Sequence, residues 1–402
     1  MNKEIARCDM LIYYRFNNFC SFNCESEFSM IAPAGKVKKR FPDNYVETEE
    51  GFDLLKSAVI VGENAGGKSN FINSLKYLKS LFVTNSQVKA VRPYINAASL
   101  NDVKIPVQKF EVCFRTDQGK IYIYHLHINE SGIIYEELQK SKKKNAAATT
   151  LFKAEKKEDG SWFASAKKNH DLSRLMDKVL VGESIGLLVS KLALLGDEDA
   201  LAVVEWMTEK LYPESLVTDK FEDPVKQDAD MRILEDERYL EIFRMVDYSI
   251  CGIELDKEKP YSKTTIIRKD ENGNLFRREL QMDSTGVREF FAWAVHIFRV
   301  VYENKIVFAD EMDRVLNPIL SDRVIAFVNG AEHHGQFVFS THNVLHLDLK
   351  TYMKEQIYFI TKNREQLTSE MYSLSDFPEV RYETTKIYEF YMKGILGGTA
   401  FE

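Results

Sequence analysis

"VGENAGGKSN", residues 61–70, stands between the apolar run "SAVIV" (57–61) and a stretch with helical spacing. It fits G-x-x-x-x-G-K-[ST]. Gly62, Gly66 and Gly67 let backbone N–H groups curl around an anion with no Cβ in the way. Lys68 can reach β- and γ-phosphates, the Ser69 hydroxyl can ligate Mg²⁺, and Asn64 and Asn70 complete the candidate contacts. In "KSNFINSLKYLKSLF" (68–82) Phe71, Leu75, Leu78 and Phe82 recur at four, three and four residues, so a helix starts here with its positive end toward the turn. A glycine turn that merely caps a helix is the competing explanation; it accounts less well for a match placed at a strand-to-helix junction.

Two later apolar runs end in polar residues of the kind such a cradle needs. "KIVFADEMD" (305–313) reads as a buried strand ending in Asp310 and Glu311. A parallel strand presents its carboxyl end to the ligand crevice, where Asp310 would face the Mg²⁺ shell and Glu311 could orient a water. The next run, "QFVFSTHN" (336–343), ends in His342, an imidazole able to hydrogen-bond a γ-phosphate or the attacking water. His342 with His346, four residues on, would also suit a metal pair. "QMDSTGVREFFAWAVHIF" (281–298) places Ser284, Thr285, Gly286 and Arg288 at the start of another helix. Ser284 there is an ordinary N-cap candidate, and the free N–H groups of that helix start would also suit a phosphate.

The amino-terminal third reads mainly as strands, at 10–22, 57–61, 109–116 and 120–129. From about 140 to 250 Lys, Glu and Asp become dense and helical spacing appears in "IGLLVSKLALL" (185–195), which suggests a helical insertion. The expected organisation is a core half at 1–139, a mainly helical insertion at 140–279 and a second core half at 280–402. The fold class is α/β, with a parallel sheet covered on both faces.

Composition narrows the function classes. A net charge of −7 argues against a protein that coats nucleic acid over its whole surface; the basic runs "GKVKKRF" (35–41) and "QKSKKKN" (139–145) leave local DNA contact open. No apolar stretch approaches the roughly 20 residues of a membrane span, and the start lacks a leader pattern, so a cytoplasmic chain with no membrane partner is expected. Cys8, Cys20, Cys24, Cys113 and Cys251 are scattered and read as reduced thiols.

In this order the motifs resemble the ATP-binding-cassette-like heads of the SMC and RecF group. More closely, they resemble the bacterial AAA-family ATP-binding proteins of the OLD, RloA and AbiL type, found in phage-defence and abortive-infection systems. "RFNNFCSF" (15–22) looks like the family's first strand, and "KIYEFYMKGILGGTAFE" (386–402) is similar to its Tyr-x-x-Gly-x-x-Gly ending. The resemblance implies an ABC/SMC-head-like P-loop core with an amino-terminal antiparallel β region and a helical insertion. It implies ATP and Mg²⁺ as ligands, with ATP sandwiched between two copies. One copy contributes Gly62 to Ser69, and the other an S-x-G-x-[KR] signature, here Ser284, Gly286 and Arg288. Ser69 and Asp310 then match the Mg²⁺ ligands, Glu311 the catalytic acid, His342 the switch histidine and Lys68 the catalytic lysine of the cradle. The sequence departs from the family in Met282-Asp283 before the signature serine, in Val287 after its glycine, in Asn317 where a histidine commonly precedes proline, and in having only Gln108 as a candidate Mg²⁺-sensing glutamine.

The function implied is an ATPase that dimerises around ATP, as a homodimer or higher homo-oligomer, and serves as sensor or scaffold for a separate effector in anti-phage defence. That effector, by the resemblance a toprim-like nuclease or a toxin, is expected to be a separate chain, because only about 40 residues follow the last strand, below the size of an independent domain. The alternative is a RecF-like DNA-repair clamp, which needs a basic surface. A transporter's nucleotide-binding subunit and a binding module using ATP as glue are further readings; the signature counts against the first and Glu311 against the second.

Overall fold

A computed structural model of the chain describes residues 8–83, 88, 90, 106–141, 147–166, 173, 176, 186–214, 224–330, 332–363, 365–383 and 386–397. Its centre is a six-stranded sheet in the order Leu211–Glu214, Ile306–Ala309, Gln336–Thr341, Ser57–Val61, Ile357–Lys362 and Ser369–Ser373. The first five strands run parallel and the last antiparallel. Parallel strands buried on both faces need apolar residues on both, and the runs "SAVIV" and "QFVFST" are buried at every position.

Alternation along these strands feeds two cores. Ala58, Ile60, Phe308 and Val338 enter one core with Phe71, Leu75 and Leu78 of the cradle helix Lys68–Val83. Val59, Val61, Val307, Phe337 and Phe339 enter the other, with the helices Thr285–Glu303 and Pro318–Gly330. The first core is closed by a seven-stranded antiparallel sheet in the order Trp162–Ala166, Thr149–Lys156, Gly132–Ser141, Ile121–Asn129, Gln108–Arg115, Met10–Asn17 and Ser26–Ser29. The cradle helix therefore lies between two sheets. Phe71 touches both: its ring is 6.0 Å from Phe308 on the parallel side and 6.2 Å from Tyr14 on the antiparallel side. Burying such a ring contributes roughly 1.5–3 kcal/mol, and it fixes the depth of the helix that carries the cradle.

The region 140–279, expected to be mainly helical, carries strands as well. Thr149–Lys156 and Trp162–Ala166 widen the antiparallel sheet, and Leu211–Glu214 forms the edge of the parallel sheet beside Ile306–Ala309. Ile250–Glu254, Thr265–Lys269 and Leu275–Glu279 form a small antiparallel sheet leading into the signature. Helices do form at Leu188–Leu194, Glu198–Glu205, Pro224–Leu234 and Glu237–Phe243, but the charge along Thr149–Lys156 is the solvent side of a strand, where "TLF" supplies the β-branched and aromatic residues that favour extension. The cradle helix is tied to the edge strand: Lys79 Nζ donates to the Leu211 carbonyl at 2.6 Å and sits 4.3 Å from the Tyr212 ring centroid. Burial pushes the Lys79 ammonium down to about 8.

Of the two basic runs, 139–145 lies mostly outside the described residues. In the other, Lys38 pairs with Asp53, and Arg40 Nη2 meets Glu383 Oε1 at 2.6 Å, so part of its charge is matched within the chain. Among the described residues no helix is long and apolar enough to cross a membrane.

Candidate functional site

Four neighbouring strands end at one place. Val61 lies opposite Thr341 on one side and Phe359 on the other, and Ala309 lies opposite Phe339. The chain thus leaves the sheet side by side at Asp310, His342 and Gly62, while Ile357–Lys362 runs on past Phe359 to Lys362. A cavity of ≈ 360 Å³ opens there, lined by residues 63–70 of the cradle, by Glu311 and His342, and by Ser21, Lys362 and Leu367.

Close packing explains the cradle glycines. A Cβ on Gly62 would lie 2.1 Å from the Ile360 carbonyl oxygen, so the loop could not approach the neighbouring strand with any other residue. Gly67 has φ +119, and a Cβ there would meet Ser369 Oγ at 2.2 Å. Lys68 is buried; its Nζ donates to the carbonyls of Gly62 at 2.8 Å and Glu63 at 3.0 Å. The same Nζ is 3.3 Å from His342 Nδ1. An ammonium is only a donor, so Nδ1 accepts and the ring proton sits on Nε2, leaving His342 a donor at its far edge.

The acidic pair is set by a residue the motifs did not mark. Ser340 Oγ donates to Asp310 Oδ1 and accepts from the Glu311 backbone N–H at 2.8 Å. Glu311 takes the left-handed conformation, φ 49 and ψ 55, at the start of the short helix Met312–Val315, and its side chain makes no capping bond there. Glu311 lines the cavity. Asp310 does not line the cavity; it stands behind it, held by Ser340. Ser69 and Asp310 offer a hydroxyl and a carboxylate, hard oxygen donors that fit Mg²⁺. Among the described residues no three His, Cys, Asp or Glu side chains group to hold a metal by themselves, and Mg²⁺ commonly takes its remaining ligands from phosphate and water.

Asn64, Gly66, Gly67, Lys68, Ser69, Asn70, Glu311 and His342 therefore meet in one cavity, with Gly62 behind them. Ser284, Gly286 and Arg288 do not line it. Ser284 caps the helix Thr285–Glu303, its Oγ accepting from Val287 N at 3.4 Å. It borders a second cavity of ≈ 490 Å³ with Arg268 and Asp283. Arg268 bridges Asp247 and Asp283, each at 2.8 Å, and so pins the residue before the cap. Gln108 is buried with its Nε2 on the Asn18 carbonyl at 2.7 Å, and it lines no part of the cradle cavity. His346 is buried against the Phe339 ring, 5.3 Å away, and does not line the cradle cavity beside His342.

Two serines back the cradle from distant parts of the chain. Ser369 Oγ contacts the Gly66 carbonyl at 2.6 Å and Ser21 Oγ at 2.7 Å, and Asn70 Nδ2 donates to Ser21 Oγ at 2.8 Å. Ser21 lies in "RFNNFCSF", and that segment's likeness to a family strand was the only sequence signal for it; Ser369 had none.

The family model described as "AAA domain, putative AbiEii toxin, Type IV TA system" matches residues 57–348, well over half of the chain. The match runs from the cradle strand past His342. No curated protein matches the chain. Among solved structures, the SMC head domain from Thermotoga maritima is 16% identical with a TM-score of 0.39, over 90% of this chain and 98% of that one. An Smc head domain with an extended coiled coil, bound to the carboxy-terminal domain of ScpA derived from Pyrococcus furiosus, is 12% identical with a TM-score of 0.44, over 96% and 99%. A third, an SmcHead bound to the C-winged helix domain of ScpA, is 13% identical with a TM-score of 0.47, over 90% and 97%.

Proposed function

The chain belongs to the AAA-domain family of the AbiEii-type model, and from that premise we propose that it binds and hydrolyses ATP and uses the nucleotide to control contact between two copies of itself. The observation that carries the reading is the meeting of Lys68, Glu311 and His342 at the ends of three adjacent strands in one cavity. The cradle N–H groups and Lys68 bind the phosphates. Glu311 orients a water at the γ-phosphate and takes its proton, and the Nε2–H of His342 donates to the γ-phosphate oxygens. Ser69 and Asp310 would hold Mg²⁺, which when bound neutralises charge on the phosphates.

Ser284, Gly286 and Arg288 lie outside the cradle cavity, which fits a role across the interface, on the nucleotide of a second copy. The isologous arrangement makes a homodimer the smallest assembly. The family's printed description, with its toxin and TA system, supports a setting in bacterial anti-phage defence, where the dimer acts as sensor or scaffold for a separate effector such as a nuclease or toxin. Phosphate release from Mg-ATP by the wild-type chain, set beside Glu311→Gln, tests the catalytic reading. Equal release by the two proteins would sink it.

A further inference from the structure

The cradle's two flanks differ in chemistry, and only one is used by the motifs. Ser57–Val61 lies between Gln336–Thr341 and Ile357–Lys362. Glu311 and His342 belong to the first flank. On the second, Lys362 ends its strand opposite Ser369, whose N–H bonds the Ser21 carbonyl at 2.7 Å. Because Ser369 also touches Gly66 and Ser21 also touches Asn70, this flank adjoins the end of the cradle where the helix begins.

Hydrogen bonds to Asn363 hold Leu367 in place beyond Lys362. Asn363 Oδ1 accepts from the N–H groups of Glu365 and Gln366, both at 3.0 Å, and the Asn363 carbonyl accepts from Leu367 N at 2.8 Å. Leu367 is thereby held at φ +57, a conformation that costs a β-carbon-bearing residue about 1–2 kcal/mol. It is 46% exposed and is the one large apolar residue on the wall of the cavity among the described residues. Lys362 lines the same cavity, and among the described residues its ammonium has no hydrogen bond or ion pair. A triphosphate with its terminal group at Glu311 and His342 must extend its α-phosphate and nucleoside toward the opposite flank.

We propose that Lys362 and Leu367 form the nucleoside wall of the site: Leu367 packs against the face of the base and Lys362 pairs with the phosphates nearest the ribose. This assignment rests on the nucleotide reading above. Apolar contact with a base face reads no base edge, so Leu367 treats adenine and guanine nucleotides alike.

The test uses the full chain and three probes, ATP, GTP and inorganic tripolyphosphate, titrated calorimetrically. Leu367→Asn keeps a residue that tolerates the left-handed conformation and removes the apolar contact. Its expected result is ATP and GTP binding weakened about five- to twenty-fold with tripolyphosphate affinity unchanged, which also shows that the cradle is intact. Lys362→Gln is expected to weaken all three probes alike by about ten-fold. Unchanged ATP affinity in Leu367→Asn, or equal weakening of tripolyphosphate, overturns the assignment of Leu367; unchanged tripolyphosphate affinity in Lys362→Gln overturns that of Lys362. A wild-type chain that binds none of the probes overturns the nucleotide reading itself, whereas failure of the wall alone leaves wild-type binding in place.

Discussion

The cradle and the signature are both helix starts with glycine beside them, yet their glycines answer opposite needs. At Gly62 and Gly67 a Cβ would collide with Ile360 and Ser369 within 2.2 Å, so the chain itself demands the missing atom. At Gly286 a Cβ would meet nothing within 4 Å, and Met282 just before it is 70% exposed. The cradle is closed upon by its own fold; the signature start, Ser284 to Gly286, is exposed. Any approach that requires the bare backbone at Gly286 must come from something outside the described chain, which in our proposal is the nucleotide held by a second copy.

The hardest blow to this contrast is delivered at Lys68. Two or more charge-assisted bonds to phosphate, each worth about 1.5–3 kcal/mol, would go with Lys68→Ala, weakening nucleotide binding roughly 10²- to 10⁴-fold in calorimetry. Normal affinity in that variant would mean that the closed half is not the phosphate half. Next comes Glu311→Gln, expected to slow phosphate release by about 10²- to 10⁴-fold while ATP affinity holds. With ATP present it should elute as a stable dimer, and an unchanged elution volume would count against two copies closing around the nucleotide.

Gly286→Glu probes the open half directly. The added side chain has room in the single chain, so folding and nucleotide affinity at the cradle should stay as in wild type, while ATP-driven association and turnover drop at least about ten-fold from charge repulsion with a phosphate. If association survives, the signature does not meet the nucleotide. The mildest test is a pair of alanines followed by thermal melting. Gly286→Ala should raise stability by up to about 1 kcal/mol through helix propensity. Gly67→Ala should lower it by at least that amount, because of its φ of +119 and the nearby Ser369. Equal shifts for the two would erase the difference between the halves.

The parts of this candidate site that were legible in sequence are those whose signal is local. Gly62 to Ser69 stand out by their own spacing, and Asp310, Glu311 and His342 follow apolar runs that the fold buries as strands. Ser340 is different. It sits within the quoted strand, but its role depends on register: parallel pairing sets it beside Asp310, and no spacing within one strand reveals that. Ser21, Ser369, Lys362 and Leu367 are common residue types far apart in the chain, brought to one wall by the order of strands. The charge-rich middle, which holds helices from Leu188 to Phe243, hid its strands for a related reason. Lysine and glutamate on the solvent face of a strand look, in one dimension, like the polar face of a helix, and Thr149–Lys156 became legible only through its partner Gly132–Ser141.

Glu311 shows a tension between keeping a fold and keeping an activity. Its left-handed backbone, φ 49 and ψ 55, is one that glycine or asparagine adopts more easily, at a difference of roughly 1 kcal/mol. Random mutation screened only for heat resistance would therefore drift toward glycine at this position, and on the reading proposed above the sturdier protein that emerged would have lost its catalytic acid. Where a carboxylate persists at such a turn, the pressure that keeps it there is something other than thermal endurance.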